Sequence, residues 1–135
     1  MTFSLKKLLM PDKLLYEYAV IRVVPKVERD EFFNVGVILM SKERDFLQMK
    51  TQVNETKLKA LCLEVDADMI NAYLDAWALV CEGRKGGAIG ALELRVRFRW
   101  LTANRSTIIQ SSAVHPGYCT DPDEELDKLF NQLVV

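Results

Sequence analysis

One histidine, three cysteines and a cluster of arginines carry most of the reactive chemistry in this chain of 135 residues. His115 is the one side chain whose ordinary pKa lies near neutrality, and Cys119 follows four residues later. A Cys/His pair becomes a nucleophile when a third group orients the histidine and an oxyanion hole stands nearby. Nothing in Ser112-Ala113-Val114-His115-Pro116-Gly117 supplies either, so a histidine fixed in a loop by hydrogen bonds is the plainer expectation. Cys62 and Cys81 sit in apolar, helix-like stretches and read as buried, inert thiols. Three cysteines at wide spacings make neither a disulfide framework nor a zinc knuckle. A metal would need carboxylates, and Glu28, Asp30 and Glu31 form the dense acidic group near polar partners; a solvated loop explains them more simply. There is no phosphate loop, paired CxxC, HExxH or nucleophile elbow. Neither a metal nor another cofactor is expected.

The arginines say more. The formal charge is −1, from 18 Lys+Arg against 19 Asp+Glu, which excludes a generally basic nucleic-acid coat and an acidic solvating tail. Yet Arg84, Lys85, Arg95, Arg97, Arg99 and Arg105 face a single acid, Glu93, within that stretch, while the C-terminal segment is acidic. A local basic patch of this kind can gather phosphates or an acidic partner, or can be a solvated, ion-paired face. The backbone of residues 92–100 decides its shape. Leu92, Leu94, Val96, Phe98 and Trp100 alternate with charged residues, which predicts a strand with three arginines in one stripe. Ile89, Leu92, Val96 and Trp100 also fit one helical stripe, which would set Arg95 and Arg99 together and turn Arg97 toward Glu93.

The elements that must position these residues follow from hydrophobic period and punctuation. Residues 1–14 read as an N-terminal extension, with Leu5–Leu9 long enough for one amphipathic turn only. Residues 15–135 then form a single domain, as the length suggests. Tyr16–Val24 is aromatic and β-branched on both alternating faces, the pattern of a strand covered on both sides, and Pro25 ends it. Phe33–Met40 and Phe46–Thr51 predict a hairpin across the polar turn Ser41–Asp45. Val35, Val37 and Leu39 would share one face there, and Gly36 would mark a bulge or close crossing. Asn54 and Asp66 or Asp68 can cap two helices. The second carries Met69, Ile70, Tyr73, Leu74, Trp77, Val80 and Cys81 and stops at Gly83. Thr107–Gln110 is a short strand candidate. Asp121, Pro122 and Glu124 open a C-terminal helix whose Leu126, Leu129, Phe130 and Leu133 make one apolar face. The sum is an α+β fold, an antiparallel sheet of three to four strands with about four helices packed on it. No apolar run nears the roughly 18 residues of a membrane span. Free thiols and the short apolar stretch after Lys6 and Lys7 point to a reducing cytoplasm.

Two segments together carry a resemblance. One runs from Tyr16 to Pro25 and on through Glu28-Arg29-Asp30-Glu31-Phe32 to Asn34-Val35-Gly36-Val37-Ile38-Leu39. The other runs from Arg97 to Thr107, then Gln110 and Val114-His115-Pro116-Gly117. The chain resembles the bacterial family catalogued as domain of unknown function 3037, over about residues 15–135. The family has no established reaction. Its members are often encoded beside proteins similar to HipA-type kinases, so the resemblance implies an accessory or protein-interaction domain with a HipA-like kinase as partner. The alternative is a small phosphate-handling or nucleic-acid-processing enzyme. No membrane partner is expected, and nucleic acid is disfavoured. The resemblance also favours a helix through Trp100, and Asn104 stands where relatives usually carry Pro. Its polar positions, Arg22, Arg29, Asn34, Arg105, Ser106 and His115, are the candidate anion- or partner-binding residues. Arg22 lies among Val20, Ile21 and Val23, where an unpaired cation is costly. It calls either for an ion pair with Glu28 or Glu31 or for a shared anion pocket with the others, since the guanidinium fork suits phosphate and carboxylate.

Overall fold

The apolar run that Pro25 closes is strand β1 (Leu14–Val23), the first element of a computed structural model that describes residues 12–83 and 87–135. The reading of Leu5–Leu9 as a helical turn lies outside the described residues. A 3₁₀ turn at Val27–Arg29 leads into β2 (Phe33–Ser41), and a second at Lys42–Arg44 leads into β3 (Phe46–Thr51). Each turn ends on an aspartate in the left-handed region, Asp30 and Asp45, a conformation that aspartate tolerates because its short side chain can bond locally. Helices α1 (Glu55–Leu61) and α2 (Ala67–Glu82) follow, with the single turn α3 (Gly87–Gly90) and then α4 (Leu94–Leu101). Strands β4 (Ile109–Ser111) and β5 (His115–Cys119) precede α5 (Pro122–Leu133). The caps are those the sequence predicts. Asn54 Oδ1 accepts from the Lys57 N–H, and Asp66 and Asp121 each accept from the backbone N–H two residues on. Gly83 ends α2 with φ +85°.

The sheet is antiparallel, in the order β3-β2-β1-β4, and β5 pairs with the other half of the same β1 edge as β4. It therefore has five strands, one or two more than the sequence predicts. The extra strand is β5, which begins at His115, a residue expected in a loop. Helices α1, α2 and α4 cover one face, where Ala19, Ile21, Val23, Ile38, Leu58, Ile70, Leu74, Phe98 and Leu101 are buried together. Helix α5 covers the other, over Tyr16, Val37, Leu39 and Phe46. This is why β1 and β2 are apolar on both alternating faces.

Two bulges set which residue faces which layer. Ile21 pairs with Gly36 but Arg22 pairs with Asn34, so Val35 is an extra residue on β2. It joins the cluster under the helices with Ile38 and Met40 instead of sharing a face with Val37 and Leu39 as the strict alternation predicts. Gly36 sits at this irregularity, and a Cβ there would lie 2.8 Å from Lys50 O. On the other edge Ile21 pairs with Ser111 and Tyr18 with His115, so one extra residue is taken up between β4 and β5.

Leu129 on α5 is buried against the sheet. Leu129→Ala is expected to cost about 2–5 kcal/mol in urea unfolding; a loss below about 0.5 kcal/mol would show that α5 adds no packing there.

Candidate functional site

Residues 92–100 settle first, because they decide where the arginines point. Leu94–Leu101 is helix, and the alternating pattern reflects no sheet pairing. Phe98 and Leu101 are buried and anchor α4, while Arg95, Val96, Arg99 and Trp100 face out. Leu92, Val96 and Trp100, four residues apart, form an apolar stripe that is 38–43% exposed. Arg95 and Arg99 run beside it, and neither forms an ion pair among the described residues. Arg97 does not turn to the Glu93 side chain. Its Nη1 donates to the carbonyls of Val80 at 2.9 Å and Cys81 at 2.7 Å, and its Nε to Leu92 O at 2.9 Å. The last turn of α2 carries no basic residue of its own. Arg97 supplies the cation that a helix C-terminus favours, and its guanidinium packs against Gly83. That missing C-terminal cation was the readable signal for this role. Cys81 lies beneath, and burial pushes its thiol up to about 12 against the opposing pull of Arg97.

Arg105 belongs to the same layer. Its guanidinium lies 5.1 Å from the Trp77 ring centroid and 5.0 Å from that of Trp100, and Nη2 donates to Trp100 O. Burial lowers its pKa. Tyr73, one turn before Trp77 on α2, is 49% exposed. Ser106 beside Arg105 is exposed.

Arg22 is on the α5 side of the sheet. Cross-strand neighbours share a face, so Asn34 on β2 and Gln110 on β4 flank it. Its guanidinium lies 4.2 Å from the Phe32 ring centroid. The ion pair expected with Glu28 or Glu31 is not formed among the described residues, since Glu31 pairs with Arg29 at the surface and the buried Nε of Arg22 has no partner. Asn34 Nδ2 donates to Leu133 O at 3.0 Å, which brings the carbonyl end of α5 to this corner. Arg22 as a whole is half-buried, and the Phe32 ring is the group its guanidinium faces.

His115 pairs with Tyr18, and their rings are 5.4 Å apart. It begins a strand and is not in a loop. Cys119 is at the buried end of the same strand, roughly 13 Å away at strand rise, too far for a nucleophilic pair. Burial, helped by Glu125 and Asp121, raises the Cys119 thiol. The six candidate residues therefore fall into separate places. Arg22, Asn34 and His115 share the α5 face of the sheet, Arg29 is in the surface turn with Glu31, and Arg105 with Ser106 lies by the helical layer. They do not bound one pocket.

Tyr16, on the same face, donates from its hydroxyl to Glu125 Oε2 at 3.2 Å. Burial, then the Glu125 charge, pushes this phenol well above its ordinary range. Tyr16→Phe should lose about 1 kcal/mol at pH 7. Folded Tyr16 keeps its proton where the unfolded residue ionises near pH 10, so the parent loses stability as pH rises through that value. Urea titrations at pH 7 and 11 should show a smaller alkaline loss for the variant.

Among the described residues no helix is long and apolar enough to cross a membrane. No curated protein and no solved structure matches the chain. One family does, over residues 18–134, nearly the whole of the chain and all but Tyr16 and Glu17 of the two segments that carry the resemblance. The chain belongs to the family described as protein of unknown function, DUF3037.

Proposed function

We propose that this domain is a protein-interaction module whose recognition face is the arginine–aromatic surface of the helical layer. The observation that carries this reading is the placement of Trp100. It stands on the outer face of α4 in line with Leu92 and Val96, holds Arg105 over its ring, and has Arg99 beside it without an ion pair. Exposed Trp, Tyr and Arg are the residues that concentrate binding energy at interfaces. Arg105 is already fixed between two indoles, so little side-chain entropy is lost when it is covered. The stripe is apolar and its flank is cationic, so the matching surface is apolar and acidic. A HipA-like kinase, the partner the family resemblance implies, is the first protein to test against it.

The groups that an enzyme of this size would draw on are engaged elsewhere. Arg97 holds α2, the Arg22 guanidinium lies over Phe32, and the His115 ring lies tilted against Tyr18. This favours binding over the phosphate-handling alternative. Titration calorimetry of the domain with the kinase-like protein should give a measurable affinity. Arg99→Glu and Trp100→Ala should each weaken it roughly tenfold or more, and added salt should weaken the parent. Equal binding by both variants overturns the assignment of the surface. A dose-dependent rise in melting temperature with phosphate or a nucleotide, lost in Arg105→Ala, favours the enzyme.

A further inference from the structure

The two edges of the sheet are built differently. Hydrogen bonding at the β1 edge fixes which backbone groups of β4 and β5 face out. Ser112 N–H donates to Val20 O at 2.8 Å, so Val20 and its alternate neighbours address this edge. Pro116 pairs with Glu17, one of the residues between, so its nitrogen faces outward, where no donor is needed. The extra residue between β4 and β5 breaks the outward row a second time. A bulge and a proline are the usual means of closing an edge to further strands.

Strand β3 has neither. Its register with β2 runs without a shift from Gly36↔Thr51 to Ser41↔Phe46. Gln52 N–H donates to Val35 O at 2.7 Å in the same register, so Phe46, Gln48 and Lys50 address β2. Leu47, Met49 and Thr51 then turn their N–H and C=O groups away from the sheet, and no described residue bonds to them. A cleft of about 500 Å³ lies along this edge. Every residue from Asp45 to Met49 lines it, both faces of the strand alike; Phe46 and Leu47 are buried there, and the strand opens to solvent from Gln48 onward. Ala78 and Glu82 of α2 and Leu94 of α4 wall its other side.

We propose that the open edge of β3 receives an extended segment of another protein, which adds to the sheet as a further antiparallel or parallel strand. Backbone pairing with Leu47, Met49 and Thr51 supplies the affinity, and the cleft selects the side chains. Ala78 and Leu94 suit apolar side chains at alternate positions. Asp45 and Glu82 are carboxylates without an ion pair among the described residues, and Arg97, the cation lining the cleft, is engaged with the α2 carbonyls. The segment therefore carries Lys or Arg beside its apolar residues.

The probe is a phage-displayed library of random peptides panned on the intact domain, followed by amide exchange with a selected synthetic peptide. Enriched sequences should alternate apolar residues and carry a basic one. The amides of Leu47, Met49 and Thr51 should exchange roughly tenfold more slowly in the complex. Thr51→Pro removes an outward donor and spares the β2 ladder, and should weaken binding roughly tenfold. Methylating alternate peptide nitrogens should do the same with the unaltered domain. Glu82→Gln should weaken it less, and Trp100→Ala, on the surface assigned above, should leave it unchanged. The proposal is overturned if no peptide is enriched, or if binding survives both Thr51→Pro and peptide N-methylation. It is overturned equally if those three amides are protected without peptide in a concentration-dependent dimer, which would make a second copy of the chain the occupant.

Discussion

Val20 sits in the middle of a strand that is covered on both faces and paired on both edges, so its N–H must find an acceptor inside the protein. The acceptor is the Ser112 hydroxyl, at 2.8 Å, and the same residue returns its own N–H to Val20 O. Substituting a side-chain oxygen for a carbonyl lets the edge strand take up one extra residue without leaving β1 unpaired. The shift has consequences all along β5. In the register of β4, Tyr16 would face Pro116 at a position that needs a donor, and proline has none. In the shifted register Tyr16 faces Gly117. A Cβ on that residue would lie 2.6 Å from the Tyr16 ring, so the glycine makes room for the phenol that reaches Glu125 on α5. One serine thus ties the edge strands, the central strand and the C-terminal helix together.

The second bulge does comparable work on the other side of β1. With Val35 turned into the helical layer, Asn34 is free to face α5 and hold its last turn through Leu133 O. The ends of α5 are therefore fixed by Tyr16 and Asn34, two residues placed by two separate irregularities in the same sheet. On the helical side, Arg97 ties the ends of α2 and α4 together through backbone carbonyls. The polar residues of this domain are largely used to position its layers.

The parts of the fold that were legible in the sequence are those fixed within a few residues. The Asn54, Asp66 and Asp121 caps, the Gly83 stop, the β2–β3 hairpin and the amphipathic α5 each carry their signal locally. Strand β5 was hidden because Pro116 and Gly117 ordinarily mark a turn. Only the distant pairing with Glu17 and Tyr16 shows why an edge strand tolerates both. The face of Val35 was misread because Gly36 marks the bulge without showing which neighbour is the extra residue. For the site, residue types were readable and their companions were not. Arg22, Arg105 and His115 looked like one set because they are polar positions of the two segments that carry the family resemblance. The packing of the layers puts Arg105 with two tryptophans and Arg22 with Phe32, contacts between separate elements that no local spacing displays.

The position of β1 in the chain also bears on how the protein is made. It is the first described strand to leave a ribosome, yet β4, β5 and α5, which close one of its edges and one of its faces, are the last elements. At about 5–20 residues per second, this central strand waits on the order of ten seconds for its partners. Pairing with β2 covers only one edge in that interval. A nascent chain in this state exposes Tyr16, Tyr18 and Val20 on a bare sheet face. Chaperone binding during translation should therefore concentrate on the N-terminal hairpin and be released when α5 emerges.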